Sequence, residues 1–189
     1  HEVVVIDREP GPAQETSRAN GGQISVSYAE PWANPQAPLK LLKWLVSDNA
    51  PMVFRPQADW RQWAWGLAFL RECLPKRVPQ NIRAMVNLAE YSLQTLRTMR
   101  DDLDIHYHHL SRGILNIYRD PEQFESSQTA ASYMRDFGVD RRIVSVDEVL
   151  ALEPALEPAI HDIVGGDYTA TDESGDIHMF ASALARKAR

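Results

Sequence analysis

Apolar positions along the chain predict an alternation of strands and helices. The run EVVVID at residues 2–7 is β-branched and apolar, which is typical of a strand buried on both faces in a parallel sheet. The proline and glycine that follow it indicate a turn. Residues 25–38 are rich in proline and small polar side chains and indicate a loop, and a short helix is predicted to begin near Pro38.

Helical spacing of apolar side chains is strongest in the next part of the chain. The segment 59–74, with Asp59 as its N-cap, is apolar almost all round, so we expect it to be buried or to contact an apolar surface. The helix after it carries one apolar face that only Arg100 interrupts. The apolar positions of that face are Ile82, Met85, Val86, Ala89, Leu93, Leu96 and Leu103.

Caps define two more helices. Asp120 as N-cap and Gly138 as stop predict a helix between them. Its inward-facing positions are predicted to be Phe124, Ala131, Met134 and Phe137. Ser145 caps a short helix that Pro154 ends.

Period-two alternation predicts strands in the second half of the chain. Residues 105–107 and 115–117 alternate around a Ser-Arg-Gly turn and predict a hairpin. The stretch IHDIVGGDY predicts a strand that leads into TATDESGD, after which Asp176 or Ser174 caps a last helix. This order of elements predicts an α/β or α+β fold and excludes an all-α fold.

The composition is that of a globular protein with one substantial core: 189 residues, 44% apolar and 24% charged. A net charge of −6 argues against nucleic-acid binding, and a single cysteine, Cys73, excludes an intrachain disulfide. No apolar run reaches the roughly 18 to 20 residues of a membrane span. The chain lacks an initiator methionine and ends inside a predicted helix, so we expect it to belong to a longer protein.

The first candidate for chemistry is Asp7, at the end of the predicted buried strand. The second strand of a Rossmann unit ends in such a carboxylate, which accepts hydrogen bonds from the adenosine ribose hydroxyls. The usual G-x-G-x-x-G would stand about 20 residues upstream, a region that this sequence does not include. Apolar strands that end in Asp are also common in proteins that bind no nucleotide.

The second candidate is TSRANGGQIS, residues 16–25. Ser17 and Asn20 can donate hydrogen bonds to phosphate or flavin oxygens, while Gly21 and Gly22 leave room for a planar ring or for left-handed backbone. The alternative is an ordinary turn, because Asn-Gly-Gly is a strong turn former.

Three other groups have a structural alternative to a functional role. His106, His108 and His109 lack a matching carboxylate or cysteine motif, so we expect solvated histidines and no metal. The tryptophans of the helix at 59–74 suit either a membrane interface or packing within a domain. The DESGD stretch lacks the ligand pattern of a calcium loop and is better explained as a loop with a helix cap.

The chain resembles the D-amino acid dehydrogenases of the D-amino acid oxidase-like flavoprotein family. The resemblance rests on HEVVVIDREPGPAQETSRANGGQIS and YAEPWANPQAPLKLLKW, and continues through LAEYS, GILNIYRD, EVLALEPAL and DESGDIHMFASALARKA. It implies a partial Rossmann-type FAD-binding domain, formed by residues 1–45 and 170–189. It also implies a substrate or cap domain of helices and antiparallel strands at residues 46–169.

The resemblance also implies which residues hold FAD. Asp7 and Arg8 would lie at the adenosine ribose. The residues implied along the pyrophosphate, ribitol and isoalloxazine are Ser17, Asn20, Gly21, Gly22, Gln23 and Ile24. Tyr28 and Trp32 are candidates for the border of the substrate pocket, with packing of a proline-rich loop as the alternative. No catalytic residue is predicted.

The implied reaction is oxidative deamination of a D-amino acid to a 2-oxo acid and ammonia, with hydride transfer to flavin N5 and electrons passed to a respiratory-chain acceptor. The implied location is cytoplasmic, including peripheral association with the inner face of the cell membrane. A glycine or sarcosine oxidase-like enzyme and a truncated, non-catalytic interaction module are the alternatives. Without the first strand and the glycine-rich loop, these residues alone are expected neither to hold FAD nor to turn over.

Overall fold

A computed structural model describes residue 4 and residues 6–44 and 55–188. The chain forms two compact units, residues 1–28 with 89–189 and residues 29–88. The helices are α1 (Ala37–Trp44), α2 (Trp60–Glu72), α3 (Val78–Asp102), α4 (Pro121–Arg135), α5 (Val146–Leu152) and α6 (Ile177–Lys187). The strands are β1 (Gln23–Ile24), β2 (Ile114–Tyr118), β3 (Arg141–Val144), β4 (Gly165–Thr169) and β5 (Glu173–Ser174).

The larger sheet belongs to the first unit and has the order β2-β4-β3, with both pairings antiparallel. Its central strand places Asp167 opposite Asn116 on one side and Ile143 on the other. Side chains alternate across a strand, so one face collects the apolar residues. Val144 of that face is buried with Val149 and Ile163, and this cluster is the core behind the sheet.

The smaller sheet pairs β1 with β5, so that Gln23 lies opposite Ser174 and Ile24 opposite Glu173. A second apolar cluster lies nearby, in which Ile105, Tyr107 and Phe180 are buried. Strands of two residues are too short to be stable by themselves, so we attribute their stability to the helices and side chains packed around them.

The predicted helix at 120–138 is confirmed. The Asp120 carboxylate accepts hydrogen bonds from the first free N–H groups of α4, those of Glu122 and Gln123. The chain leaves the helix through Gly138, whose φ of 88° suits glycine. Of the predicted inward positions, Ala131 and Met134 are fully buried and Phe124 and Phe137 are half-buried.

The short helix at 145 and the last helix also form as predicted. Ser145 caps α5 in a complete capping box: its hydroxyl accepts a hydrogen bond from the Glu148 N–H, and the Glu148 carboxylate accepts one from the Ser145 N–H. Of the two candidate caps of α6, Asp176 is the one used, because its carboxylate accepts a hydrogen bond from the Met179 N–H.

The second unit contains α1, α2 and the first turns of α3. Asp59 caps α2 as predicted, accepting a hydrogen bond from the Arg61 N–H. Of the two predicted outcomes, burial is not observed, because none of its residues is buried within the described parts of the chain. Contact with an apolar surface stays a prediction. The buried apolar residues of this unit are Ala29, Ala37, Cys73, Ile82 and Val86.

Two strand predictions are corrected. Residues 2, 3 and 5 of the first predicted strand lie outside the described residues, and Val4, Ile6 and Asp7 form no strand. No described strand pairs with this segment, and a strand without a partner cannot satisfy its backbone hydrogen bonds.

The helix predicted near Pro38 forms, although residues 45–50 lie outside the described part.

The predicted hairpin at 105–117 is also wrong in its first half. Residues 105–107 form no strand, because Asp104 and His108 have left-handed φ values of 48° and 52° and turn the backbone away from an extended path. Ile105 and Tyr107 are buried in the core instead. The second half forms β2, and its partner is β4.

Within the described residues, no helix is long and apolar enough to cross a membrane. The predicted domains, residues 1–45 with 170–189 and residues 46–169, stay a prediction.

Candidate cofactor site

The segment TSRANGGQIS forms a 3-10 turn at Thr16–Arg18, a tight turn at Asn20 and the strand β1. The Asn20 side-chain oxygen accepts a hydrogen bond from the Gly22 N–H at 2.7 Å, which fixes the turn. Gly22 has a φ of 62°, and a Cβ atom on it would lie 2.0 Å from the Gly175 carbonyl oxygen. A Cβ on Gly21 would meet no atom within 4 Å. Gly22 is therefore required by the fold, whereas Gly21 leaves one side of the backbone open.

A buried carboxylate holds the end of this segment. Asp172 is fully buried, and its Oδ1 accepts a hydrogen bond from the Val26 N–H at 3.1 Å. Its Oδ2 accepts a second one from the Ser27 hydroxyl. Because hydrogen bonds are electrostatically stronger in a protein interior than in water, Asp172 fixes the direction in which the chain leaves β1.

A second buried carboxylate, Glu173, explains the polar interruption on the apolar face of α3. Its two oxygens accept hydrogen bonds from Arg97 Nε at 2.8 Å and from Arg100 Nη1 at 3.0 Å. Burial alone would raise the pKa of Glu173, but the hydrogen bonds and charge of Arg97, reinforced by Arg100, hold it below its usual range. Glu173 thus stays ionised and joins α3 to the strand that pairs with Ile24.

A polar cleft lies beside the start of the segment. It has a volume of about 440 Å³ and is lined by Asp7, Arg8, Glu9, Ala13, Gln14, Glu15, Thr16 and Ser17. The Asp7 carboxylate accepts a hydrogen bond from the Glu9 N–H at 3.0 Å, and Arg8 is paired with Glu9 and Glu15. The structure therefore brings three of the predicted FAD residues, Asp7, Arg8 and Ser17, to one cleft.

A smaller apolar cavity of about 200 Å³ lies at the other end of the segment. Its lining residues are Ile24, Ser25, Val26, Ala89, Ser92, Leu93 and Leu96. Gln23 lies next to it, with its side-chain amide donating to the Ser25 hydroxyl at 2.8 Å. Ile24 is thus the one predicted site residue that contributes to this apolar surface.

One buried polar cluster was missed by sequence reasoning. The Asp167 carboxylate on β4 accepts hydrogen bonds from Asn116 Nδ2 at 3.0 Å, from the Tyr118 hydroxyl at 2.6 Å and from Arg141 Nη2 at 2.9 Å. The Arg141 guanidinium in turn lies over the Tyr28 ring, with 5.3 Å between its Cζ and the ring centroid. The sequence signal that could have indicated this cluster is the occurrence of polar residues at every second position of a strand, at 116 and 118 and again at 167 and 169.

The two candidates for the substrate pocket belong to different units. Tyr28 is half exposed in the first unit, and Trp32 is 83% exposed in the second. The histidines at 106–109 are exposed, and the described residues contain no group of His, Cys, Asp or Glu side chains that could hold a metal ion.

The donor set of the segment 7–24 suits a dinucleotide. Three carboxylates, one guanidinium, an amide and two hydroxyls line the polar cleft. Carboxylates can accept hydrogen bonds from ribose hydroxyls, and guanidinium, amide and hydroxyl groups can donate to phosphate oxygens. An open glycine backbone and an apolar cavity follow along the chain, which suits a planar ring system. The residues present therefore fit FAD.

The family comparison agrees with this chemistry. The family model DAO, described as FAD dependent oxidoreductase, matches residues 1–189. The chain therefore belongs to this family, and the family's dependence on FAD confirms the predicted cofactor class.

Among curated proteins, the chain is similar to D-amino acid dehydrogenases. It is 53% identical over 189 residues to the one from Dechloromonas aromatica (strain RCB), covering 100% of this chain and 45% of that protein. It is 41% identical over 186 residues to the one from Granulibacter bethesdensis, covering 98% of this chain and 44% of that protein. The chain thus spans slightly less than half the length of these relatives.

Among solved structures, the glycine oxidase from Bacillus cereus ATCC 14579 is similar with a TM-score of 0.51 and 18% identity. This match covers 93% of this chain and 34% of that one. At this identity the likeness concerns the fold alone. Together with the mixture of helices and antiparallel strands, it confirms the predicted fold class.

Proposed function

We propose that these residues form part of an enzyme that oxidises D-amino acids with FAD to 2-oxo acids and ammonia. The observation that carries the proposal is the meeting of Asp7, Arg8 and Ser17 at one polar cleft, in a chain of an FAD-dependent family. The names of the similar curated proteins support the substrate class.

In this proposal the segment 7–24 holds the cofactor along its length. The Asp7 carboxylate accepts hydrogen bonds from the ribose hydroxyls, with Arg8 beside it, and the Ser17 hydroxyl donates to the pyrophosphate. Asn20, Gly21, Gly22, Gln23 and Ile24 lie along the ribitol and the isoalloxazine. When bound, FAD supplies the two-electron chemistry by accepting the substrate α-hydrogen as hydride at N5.

The chain's own contribution is positioning. Asp172 holds the backbone at Val26, and Glu173, itself held by Arg97, lies opposite Ile24 in the small sheet, so that the end of the cofactor segment does not have to be ordered on binding. Tyr28 is proposed to border the substrate pocket. No residue of this chain is assigned as a catalytic acid or base. A respiratory-chain component, not oxygen, is proposed as electron acceptor.

The test uses the extended protein, meaning these residues together with the native sequence on either side. We expect it to purify with FAD and to reduce an artificial dye with D-alanine while releasing little peroxide. Oxygen-dependent peroxide release with glycine or sarcosine would favour a related amine oxidase. An extended protein without flavin would favour the non-catalytic interaction module. The 189-residue chain alone is expected to be colourless after it has been purified with added FAD and freed of unbound flavin.

A matched pair of variants tests the site itself. Asp7→Asn should weaken FAD binding by about tenfold, because one charge-assisted hydrogen bond to a ribose hydroxyl is lost. Asp140→Asn changes an exposed carboxylate far along the chain and should leave the affinity unchanged. Equal FAD affinity in both variants would contradict the assignment of Asp7.

We also propose that the second unit binds the inner face of the cell membrane. Basic residues outnumber acidic ones in residues 29–88, although the whole chain has a net charge of −6. The basic ones are Lys40, Lys43, Arg55, Arg61, Arg71, Lys76, Arg77 and Arg83, and the acidic ones are Glu30, Asp48, Asp59 and Glu72. On α2, Trp60 is 75% and Leu67 70% exposed. Exposed tryptophan and leucine among basic residues suit an anionic bilayer surface.

Vesicle sedimentation of the extended protein tests this second proposal. Binding is expected to vesicles of phosphatidylglycerol mixed with phosphatidylcholine, to weaken with salt, and to be absent with phosphatidylcholine alone. The double variant Trp65→Ser with Leu67→Ser should bind several-fold more weakly, whereas Tyr91→Ser, an exposed position of the first unit, should bind normally. Failure of the unmodified protein to bind these vesicles would overturn the membrane proposal.

A further inference from the structure

We propose that Arg141 is a positioning residue that holds the Tyr28 ring for substrate binding. The inference rests on the proposed function and deepens it, because it assigns a role to the buried polar cluster of the larger sheet.

The guanidinium is fixed before any substrate arrives. Arg141 is 5% exposed, and its Nη2 donates to Asp167 Oδ2 at 2.9 Å and lies 3.3 Å from the Tyr118 hydroxyl. Asp167 is fully buried and also accepts hydrogen bonds from Asn116 and Tyr118. A buried charge pair needs this degree of satisfaction, since breaking one partner leaves the other charge uncompensated.

Tyr118 stays a hydrogen-bond donor to this cluster. Burial raises the pKa of the Tyr118 hydroxyl well above its usual range, and its hydrogen bond to Asp167 raises it further. The hydroxyl therefore keeps its proton at neutral pH. The contacts of Arg141 Nη2 with Asp167 and with the Tyr118 hydroxyl hold the guanidinium in one position.

Tyr28 is placed between this cluster and the proposed flavin segment. It ends the 3-10 turn Val26–Tyr28, whose first two residues are held by Asp172. Its ring lies against the guanidinium at 5.3 Å, a cation–π distance, and half of the residue remains exposed. The ring thus contacts the guanidinium while half of the residue stays accessible to solvent.

Arg141 acts through Tyr28 and does not bind substrate directly. Its Nη2 is already engaged by Asp167, and the residue is almost fully buried. The side chain that can touch a small amino acid is the half-exposed Tyr28. An ordered aromatic ring at the pocket border lowers the entropy cost of binding, so loss of its support should appear mainly in KM.

The neighbouring residue supplies a matched control. Arg142 lies next along β3 and faces the other side of the sheet, where its Cζ is 5.2 Å from the Tyr168 ring centroid. It makes the same kind of contact with a tyrosine that is not proposed to meet substrate. Comparing the two arginines separates a role in substrate binding from a general contribution to the sheet.

Kinetics of the extended protein with D-alanine give the first readout. Tyr28→Leu should raise KM about tenfold and Arg141→Met about fivefold, with kcat and flavin content little changed. Tyr28→Phe keeps the ring and should stay within about twofold of the unmodified protein. In the Tyr28→Leu background, Arg141→Met should add little further increase in KM. Arg142→Met should leave KM unchanged.

Fluorine NMR gives a second readout that does not depend on activity. With 3-fluorotyrosine incorporated, the Tyr28 signal is assigned by its loss in Tyr28→Phe. It should shift and change width in Arg141→Met and in Arg141→Lys, but not in Arg142→Met. Arg141→Lys keeps a positive charge beside Asp167 and serves if the methionine variant does not fold.

The outcomes are distinct. An unchanged Tyr28 signal in both Arg141 variants overturns the positioning role. If the Tyr28 signal changes in Arg141→Met while KM does not, the link to substrate is overturned. It is also overturned if the KM increases of Tyr28→Leu and Arg141→Met multiply when the two changes are combined. If the unmodified extended protein oxidises no D-amino acid, the proposed function fails, while a signal that still shifts supports the contact between Arg141 and Tyr28.

Discussion

The Gly175 N–H donates a hydrogen bond to the Gly22 carbonyl oxygen at 2.9 Å, so two glycines far apart in sequence share one backbone contact. Their approach leaves no space for a Cβ on Gly22, whose φ is also 62°. Gly175 is restricted as well, because a Cβ on it would lie 2.4 Å from the Tyr107 ring. The proposed cofactor segment thus depends on a close contact that only glycine allows.

Gly22→Ala should therefore destabilise the protein and remove FAD together. A methyl group 2.0 Å from a backbone oxygen must separate β1 from β5, and the left-handed φ adds about 1 kcal/mol of strain or more. Thermal unfolding and flavin absorbance of the extended protein measure both effects.

Gly21→Ala is the matched control with a different expected result. No atom lies within 4 Å of its Cβ position, so the melting temperature should be unchanged. If the flavin ring approaches this backbone, the added methyl should still weaken FAD binding several-fold. Full FAD affinity in Gly21→Ala would place the ring elsewhere.

Asp172→Ala should cost about 1–3 kcal/mol of folding free energy. The change leaves the buried N–H of Val26 and the hydroxyl of Ser27 without their acceptor. Ser27→Ala removes only one of these bonds and should cost less. Urea unfolding compares the variants, and a smaller loss in Asp172→Ala than in Ser27→Ala would contradict the central role of this carboxylate.

Glu173 should make stability depend on acid pH. Its pKa is lowered in the folded state, so its contribution is fully present above the ordinary carboxyl pKa of 4.5 and is lost as the pH falls through the folded value. The melting temperature should therefore decrease when the pH is lowered below about 4.5. Glu173→Gln should have a lower melting temperature at pH 7 and a smaller fall toward pH 3.5. If the melting temperatures of the two proteins fell by the same amount between pH 7 and pH 3.5, the acid sensitivity would not come from this carboxylate.

The helices could be predicted well because their signals are local. The cap at Asp120, the stop at Gly138 and the Ser145 capping box act within a few residues of each helix end. Helix α2 shows the limit of this reasoning. Its apolar spacing predicted the helix correctly, but burial depends on what packs against it, which no local pattern contains.

The strands and the site were harder to predict because their partners are distant. Pairing of Ile24 with Glu173, and of Asn116 with Asp167, joins segments separated by many residues. The role of Gly22 was only half predictable, since the sequence allowed either a ring or a left-handed backbone there. The FAD residues were predicted from the family resemblance. The cluster around Arg141 could not be predicted, because it depends on the register of three strands that are distant in sequence.

Variants of two helix caps test whether FAD affinity depends on the overall stability of the protein or on the local order of the cleft. Asp120→Ala and Asp176→Ala each remove a side-chain cap, from α4 and α6 respectively, at a cost of about 1 kcal/mol each. Both variants should therefore show a similar fall in melting temperature without FAD.

Their effects on FAD should differ. The Asp176 N–H donates to the Tyr107 carbonyl oxygen at 2.8 Å, and α6 contacts the polar cleft where His178 Nδ1 lies 2.9 Å from the Ala13 carbonyl oxygen. Loosening the first turn of α6 should thus weaken FAD binding several-fold, as measured by titration of the flavin-free extended protein. Helix α4 packs against the larger sheet and not against the cleft, so Asp120→Ala should bind FAD normally. Equal weakening in both variants would mean that FAD affinity follows overall stability and not the local order of the cleft.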